Sequence, residues 1–211
     1  MKHALMLSAA ALASISLAAC NKPANDPNAS QGAQTGNPGQ TEPVNKAQDA
    51  VGAAVGSASA NTMGSMDTGA FVSNASQGNM YEIQAAKIAQ TKSKNADVKA
   101  FAKMMIADHT ALNTQMTPLI QAAGQQPATD LDQRRKGFID NLNAAPTADF
   151  DKTYVDQQVA AHQETLDLMK GYADKGSDAG LKGGAGQAIP KVQMHLDKAK
   201  EIQAKLSKGA K

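Results

Sequence analysis

The sequence predicts an all-α fold: a four-helix bundle with a long crossover between its second and third helices. The crossover holds a short extra helix, and a disordered linker precedes the bundle. Three observations point there. Apolar residues make up 42% of the 211-residue chain but aromatics only 3%, with no Trp. Alanine, leucine and methionine must therefore do the packing, which suits helices better than sheets. Four long segments repeat their apolar residues at a helical period, and good cap residues stand where those segments begin. Net charge is +2, with lysines spread among acids. With no basic run and almost no aromatics to stack on bases, the composition argues against nucleic-acid binding.

Residues 1–19 read as a signal peptide. Lys2 and His3 form a short positive start, and residues 4–17 are an apolar run too short to span a bilayer. The run ends Leu17-Ala18-Ala19-Cys20, which resembles the lipobox of bacterial lipoproteins. That resemblance implies that Cys20 becomes the lipidated first residue of the mature chain, a membrane anchor that leaves no thiolate for catalysis or metal binding. Ordinary cleavage would instead leave a free thiol, a liability for a lone cysteine in an oxidising compartment. Asn21, not Asp, follows the cysteine. By the sorting rule of enteric bacteria this favours the outer membrane over the inner, with the protein facing the periplasm.

Residues 20–67 read as the lipidated cysteine and a flexible tether. Pro23, Pro27, Pro38 and Pro43 break helices, and large apolar residues are nearly absent before Met63, so nothing offsets the entropy of ordering. Such a tether spans roughly 35–40 Å. Residues 46–60 have the pattern of a transient helix, but Gly52 and Gly56 argue against a stable one.

The bundle domain is expected over residues 68–208. Its first helix starts at Asp67 or Thr68 as N-cap and runs to about residue 94. The stripe is Phe71, Ala75, Gly78, Glu82, Ala85, Ala86 and Ala89. Asn95 caps the second helix, Asp97 suits its first turn, and Gly124 stops it after residue 123. Pro118 should kink it near Thr114. The very short turn makes these two helices antiparallel neighbours. Between Pro127 and Pro146, a short amphipathic helix over about residues 130–143 carries Leu131, Phe138, Ile139 and Leu142, and this connection is long enough to cross the bundle. The third long helix starts with Thr147 as N-cap and ends near residue 174, with Val155, Gln158, Val159, His162, Leu166, Met169 and Ala173 on its stripe. Ser177 caps the fourth, which ends near residue 207. Gly183, Gly184, Gly186 and Pro190 predict a kinked or irregular first half; Ala188, Val192, His195, Ala199, Ile202 and Leu206 make a firm second half.

One titratable group sits at the centre of each stripe. At 100° per residue, Val98, Ala102, Met105, Ile106, Leu112, Met116 and Ile120 all fall within about 60° of His109. His162 and His195 are likewise central, and Glu82 is central on the first helix. Helices of similar length packed side by side share a midpoint layer, so the four groups should meet. Three imidazoles and a carboxylate are a sensible shell for one transition-metal ion: Cu, Zn, Fe or Mn. The bland alternative is a metal-free, hydrogen-bonded Glu82–histidine network that sets helix register. Met105, Met116 and Met169 share the stripes. They read as copper-binding thioethers or, more simply, as core filler. No nucleophile–base spacing or phosphate loop points to an enzyme.

Several segments also resemble a known family. They are Phe71-Val72-Ser73-Asn74-Ala75 with Gly78-Asn79-Met80-Tyr81-Glu82, and Val98-Lys99-Ala100-Phe101-Ala102 with Met105-Ile106-Ala107-Asp108-His109-Thr110. Phe150-Asp151-Lys152-Thr153-Tyr154 with His162-Gln163, and Ile189-Pro190 with His195-Leu196, complete the pattern. Over residues 69–206 the chain is similar to the bacterial domain of unknown function four-one-four-two, often labelled a predicted outer-membrane protein. The resemblance implies a ferritin-like four-helix bundle in an exported protein with no established activity. Many members have Asp where Ala161 stands and a second histidine where Met194 stands, so those groups are missing here. A ferritin-like fold invites a di-iron reading, but the residues three before the histidines are Ile106, Val159 and Val192. None is acidic, and the carboxylates that hold two irons are absent from that pattern.

Overall fold

The computed structural model describes residues 42–61 and 66–209. Among them the chain forms six α-helices and no strand: α1 (Glu42–Asn61), α2 (Thr68–Lys92), α3 (Ala96–Ala122), α4 (Gln133–Ala144), α5 (Thr147–Lys175) and α6 (Ala179–Gly209). Residues 1–19, read above as a signal peptide, Cys20, and residues 21–41 of the expected linker lie outside the described residues.

Helices α2, α3, α5 and α6 make the bundle. Both α2 and α6 pack on α3 and α5, so α3 and α5 stand on a diagonal. Their first halves share one apolar cluster, with Phe101, Met105, Tyr154 and Val155. Their second halves share another, with Met116, Ile120, Leu168, Met169 and Tyr172. The two helices therefore run parallel, and residues 123–146 must travel the length of the bundle, as the sequence predicts. The short helix α4 lies on that crossover, against α2 and α5.

Local chemistry explains the helix ends. The Asp67 carboxylate accepts from the backbone N–H of Ala70 at 2.6 Å. The Asn95 side chain accepts from Asp97 and Val98. Gly124 takes φ +69°, the left-handed conformation that ends α3 without strain. Two expected caps are displaced. At α5 the backbone carbonyl of Pro146 accepts the first helical bonds, and Thr147 is already inside the helix. At α6 Asp178, not Ser177, accepts from the N–H of Leu181 at 2.8 Å.

Two expectations from glycine content are corrected. α6 is continuous through Gly183, Gly184, Gly186 and Pro190. A Cβ at Gly184 would stand 2.7 Å from Leu119 and 3.0 Å from Met116, so this glycine lets α6 approach α3. Residues 42–61, assigned to the linker above, form α1 and pack on α4 and α5. A Cβ at Gly52 would meet the Phe138 ring at 2.8 Å, and one at Gly56 would collide with the Glu164 carboxylate. The glycines that weaken α1 in isolation are the ones that let it dock. Asp49 then accepts from Asn141 at 2.7 Å and from Gln157 at 2.6 Å, tying α1 to α4 and α5.

Candidate metal centre

A polar layer separates the two apolar clusters. His109 from α3, His162 from α5 and His195 from α6 meet there, each at most 3% exposed. Their ring centroids are 5.8 Å (His109–His162), 5.4 Å (His109–His195) and 5.4 Å (His162–His195) apart. One ring nitrogen from each lies within 4.8 Å of the other two. The three histidines could hold a metal ion.

Each imidazole is oriented by a bond to its other nitrogen. His162 Nδ1 donates to the backbone carbonyl of Gln158, one turn back on α5, at 2.8 Å. His109 Nδ1 donates to Asn79 Oδ1 of α2 at 2.9 Å. His195 Nε2 donates to Asp108 Oδ2 of α3 at 2.8 Å, and Lys191 Nζ donates to the other Asp108 oxygen at 3.1 Å. A carbonyl and a carboxylate can only accept, so the proton is placed on those nitrogens. The remaining ones, His109 Nε2, His162 Nε2 and His195 Nδ1, are buried lone pairs with no hydrogen-bond partner from the protein. An acceptor that holds each ligating histidine by its far nitrogen is the arrangement of metal sites.

Electrostatics keep the donors neutral. Burial pushes His162 down to about 3, helped by His195 and opposed by the Gln158 carbonyl. Burial likewise drives His109 well below its usual range, with His162 and His195 adding to the effect. His195 is lowered by burial, less so because Asp108 favours its charged form. Neutral imidazole is the form that binds metal.

Glu82 is the predicted ligand that the fold does not bring in. It is buried, but its Oε1 lies 3.5 Å from His162 Nδ1, the nitrogen already turned towards Gln158. Glu82 therefore stands behind His162, outside the group of three. Burial pushes its carboxyl up to about 8, against weaker downward pulls from the neighbouring Gln158 amide and Arg135. Neither oxygen makes a hydrogen bond, and at pH 7 the group is the neutral acid. With His162 neutral too, the contact is not an ion pair.

Met105 packs in one apolar cluster and Met116 and Met169 in the other, the core-filling alternative. Met194 is 41% exposed, so that position does not face the histidines. Asp108 and Asn79 were missed as site residues. They lie off the apolar stripes that direct attention to the histidines, and each acts on a neighbouring helix. The only trace in the sequence is that both fall inside motifs quoted above for the family resemblance.

A family model described as a domain of unknown function (DUF4142) matches residues 53–202, from within α1 to near the end of α6. No curated protein and no solved structure matches the chain.

Proposed function

The chain belongs to the DUF4142 family, and from that premise we propose an exported, lipid-anchored protein of the cell envelope whose bundle core binds one transition-metal ion through His109, His162 and His195. The observation that carries the metal reading is the set of three buried lone pairs, each presented by a partner on the opposite ring nitrogen. Left unpaired, each would cost about 1–3 kcal/mol. No two can satisfy one another, since all three are acceptors; a shared Lewis acid satisfies all at once.

No reaction is assigned. The Lewis acid would polarise a bound oxygen or nitrogen ligand, but among the described residues no Cys, Asp or Glu joins the three histidines. A second iron is unsupported for the same reason, with Ile106, Val159 and Val192 one turn before the histidines.

The test is elemental analysis of the folded full chain from medium supplemented with copper, zinc, iron and manganese. About one equivalent of metal is expected, and it should fall to background in His109→Ala. Metal content near zero in the wild type, with His109→Ala lowering only stability, would establish the register-setting network instead. The anchor rests on residues 17–20. Cys20→Ser should move the protein from the outer-membrane pellet to the soluble fraction, and a wild type found wholly soluble would remove that half of the reading.

A further inference from the structure

We infer that the outward face of α1 is the interface of a weak homodimer, in which α1 packs antiparallel on α1 of a second copy of the chain. This surface is independent of the metal centre. α1 rests on the rest of the fold through Asp49, Gly52 and Gly56. The opposite side of the helix is apolar and exposed. Of the five large hydrophobics exposed among the described residues, three lie there: Val44 at 43%, Val51 at 65% and Val55 at 57%. Ala47 and Ala54 are exposed between them. The helix has three charged residues, Glu42, Lys46 and Asp49, and none falls in residues 50–61. A surface helix ordinarily turns charged side chains to solvent, whereas α1 turns valine and alanine there. With Arg134 of α4, the three valines border an open groove of about 640 Å³.

The spacing names the occupant. Val44, Ala47, Val51 and Ala54 recur at steps of three, four and three residues. These are the a and d positions of a heptad, so the face fits another helix at a shallow crossing angle. The pattern is also its own complement. In an antiparallel pair each a residue faces a d residue. About a two-fold axis at residue 49, Val44 meets Ala54 of the second copy and Ala47 meets its Val51, and the axis repeats both contacts. Every layer sets a valine against an alanine, large against small. A lipid surface fits worse. An interfacial helix carries large apolar side chains beneath a row of basic ones, and α1 has no Leu, Ile, Phe or Trp and a single Lys. A seam about 16 Å long and one helix (about 10 Å) wide covers well under the roughly 800 Å² per partner of a standard interface, so the dimer is weak.

The experiment is sedimentation velocity of the full chain over a range of concentrations up to about 1 mM, with disulfide trapping alongside. Both use Cys20→Ser, which removes the one native cysteine. A monomer–dimer equilibrium is expected, with a dissociation constant between about 10 µM and 1 mM. Val51→Glu should weaken it at least about tenfold, because the seam would bury an unpaired charge. The monomer should stay folded, since Val51 faces solvent. Mixing Ala47→Cys chains with Val51→Cys chains should give the mixed disulfide in at least about fivefold excess over either symmetric one. A dimer that persists in Val51→Glu, or symmetric disulfides as abundant as the mixed one, overturns the inference. So does a chain still monomeric at about 1 mM. Vesicles of phosphatidylglycerol and phosphatidylethanolamine that then bind the chain but not Val51→Glu would name a lipid surface as the occupant.

Discussion

Asp108 shows how one side chain off the apolar stripe can decide what the buried ones do. Its carboxylate fixes His195 with Nδ1 turned inward. Asp108→Asn can keep a hydrogen bond but loses the charge that favours the Nε2 proton. Metal affinity should fall about 10–100-fold in a competition titration while the fold is retained. Glu82 sets a pH signature in the metal-free protein. Its folded-state carboxyl titrates near 8 against 4.5 for the free group, so between these values the folded chain holds a proton that the unfolded chain has lost. Stability must then fall as pH rises through that window, with a slope of at most about 1.4 kcal/mol per pH unit. His162 works oppositely. Lowered to about 3 from 6.5, it makes stability rise with pH over that acidic range. Urea unfolding of Glu82→Gln at pH 6, 7 and 8 should give a flatter profile and a more stable protein at pH 8. An unchanged slope would mean that Glu82 is not the buried neutral acid.

Among the helices, α1 lies outside the four that make the bundle and packs on α4 and α5. It has two glycines at the contact, the Asp49 hydrogen bonds and a bond from Arg134 to the Gly52 carbonyl. Below it, Glu164 accepts from Arg134 at 2.7 and 2.9 Å and from Arg135 at 2.8 Å. Gly56→Val would press a side chain into that carboxylate. It should cost about 1–3 kcal/mol, read as faster hydrogen exchange in α1 with protection in α2, α3, α5 and α6 preserved. Uniformly faster exchange would show that α1 and the bundle open as one unit. Glu164→Ala should do more damage, about 3 kcal/mol in urea unfolding, because it takes the carboxylate from Arg134 and leaves the deeply buried Arg135 with Asp132 alone.

The bundle as a body places its polar layer where four helices cross mid-length, between two separate apolar clusters. A metal bound there would join three helices that are distant in sequence, so it should act on global unfolding and not on one segment. At free metal about 100 times the dissociation constant, the gain is about 2.7 kcal/mol, or roughly 5–10 °C in Tm for a domain of this size. Calorimetry of the chain with and without added transition-metal ion checks this. A rise that persists in His109→Ala would locate the stabilisation elsewhere.

The helical fold class, the capped starts of α2 and α3, the crossover with its short helix and the mid-helix histidines were all legible in the chain. Each follows from local propensity, cap chemistry or a 3.6-residue period, and these act over a few residues. The same rules misjudged Gly52, Gly56 and Gly184, because a glycine's local cost is visible in sequence and the neighbour that needs its missing Cβ is not. They also put Glu82 beside the histidines. A helical wheel gives the direction in which a side chain leaves its helix, but not which nitrogen of a facing imidazole it meets. The ring spacings, the roles of Asn79 and Asp108, and the exclusion of Glu82 arise from contacts between residues about 30 to 90 positions apart. Such contacts exist only once the four helices have chosen their mutual rotation and height.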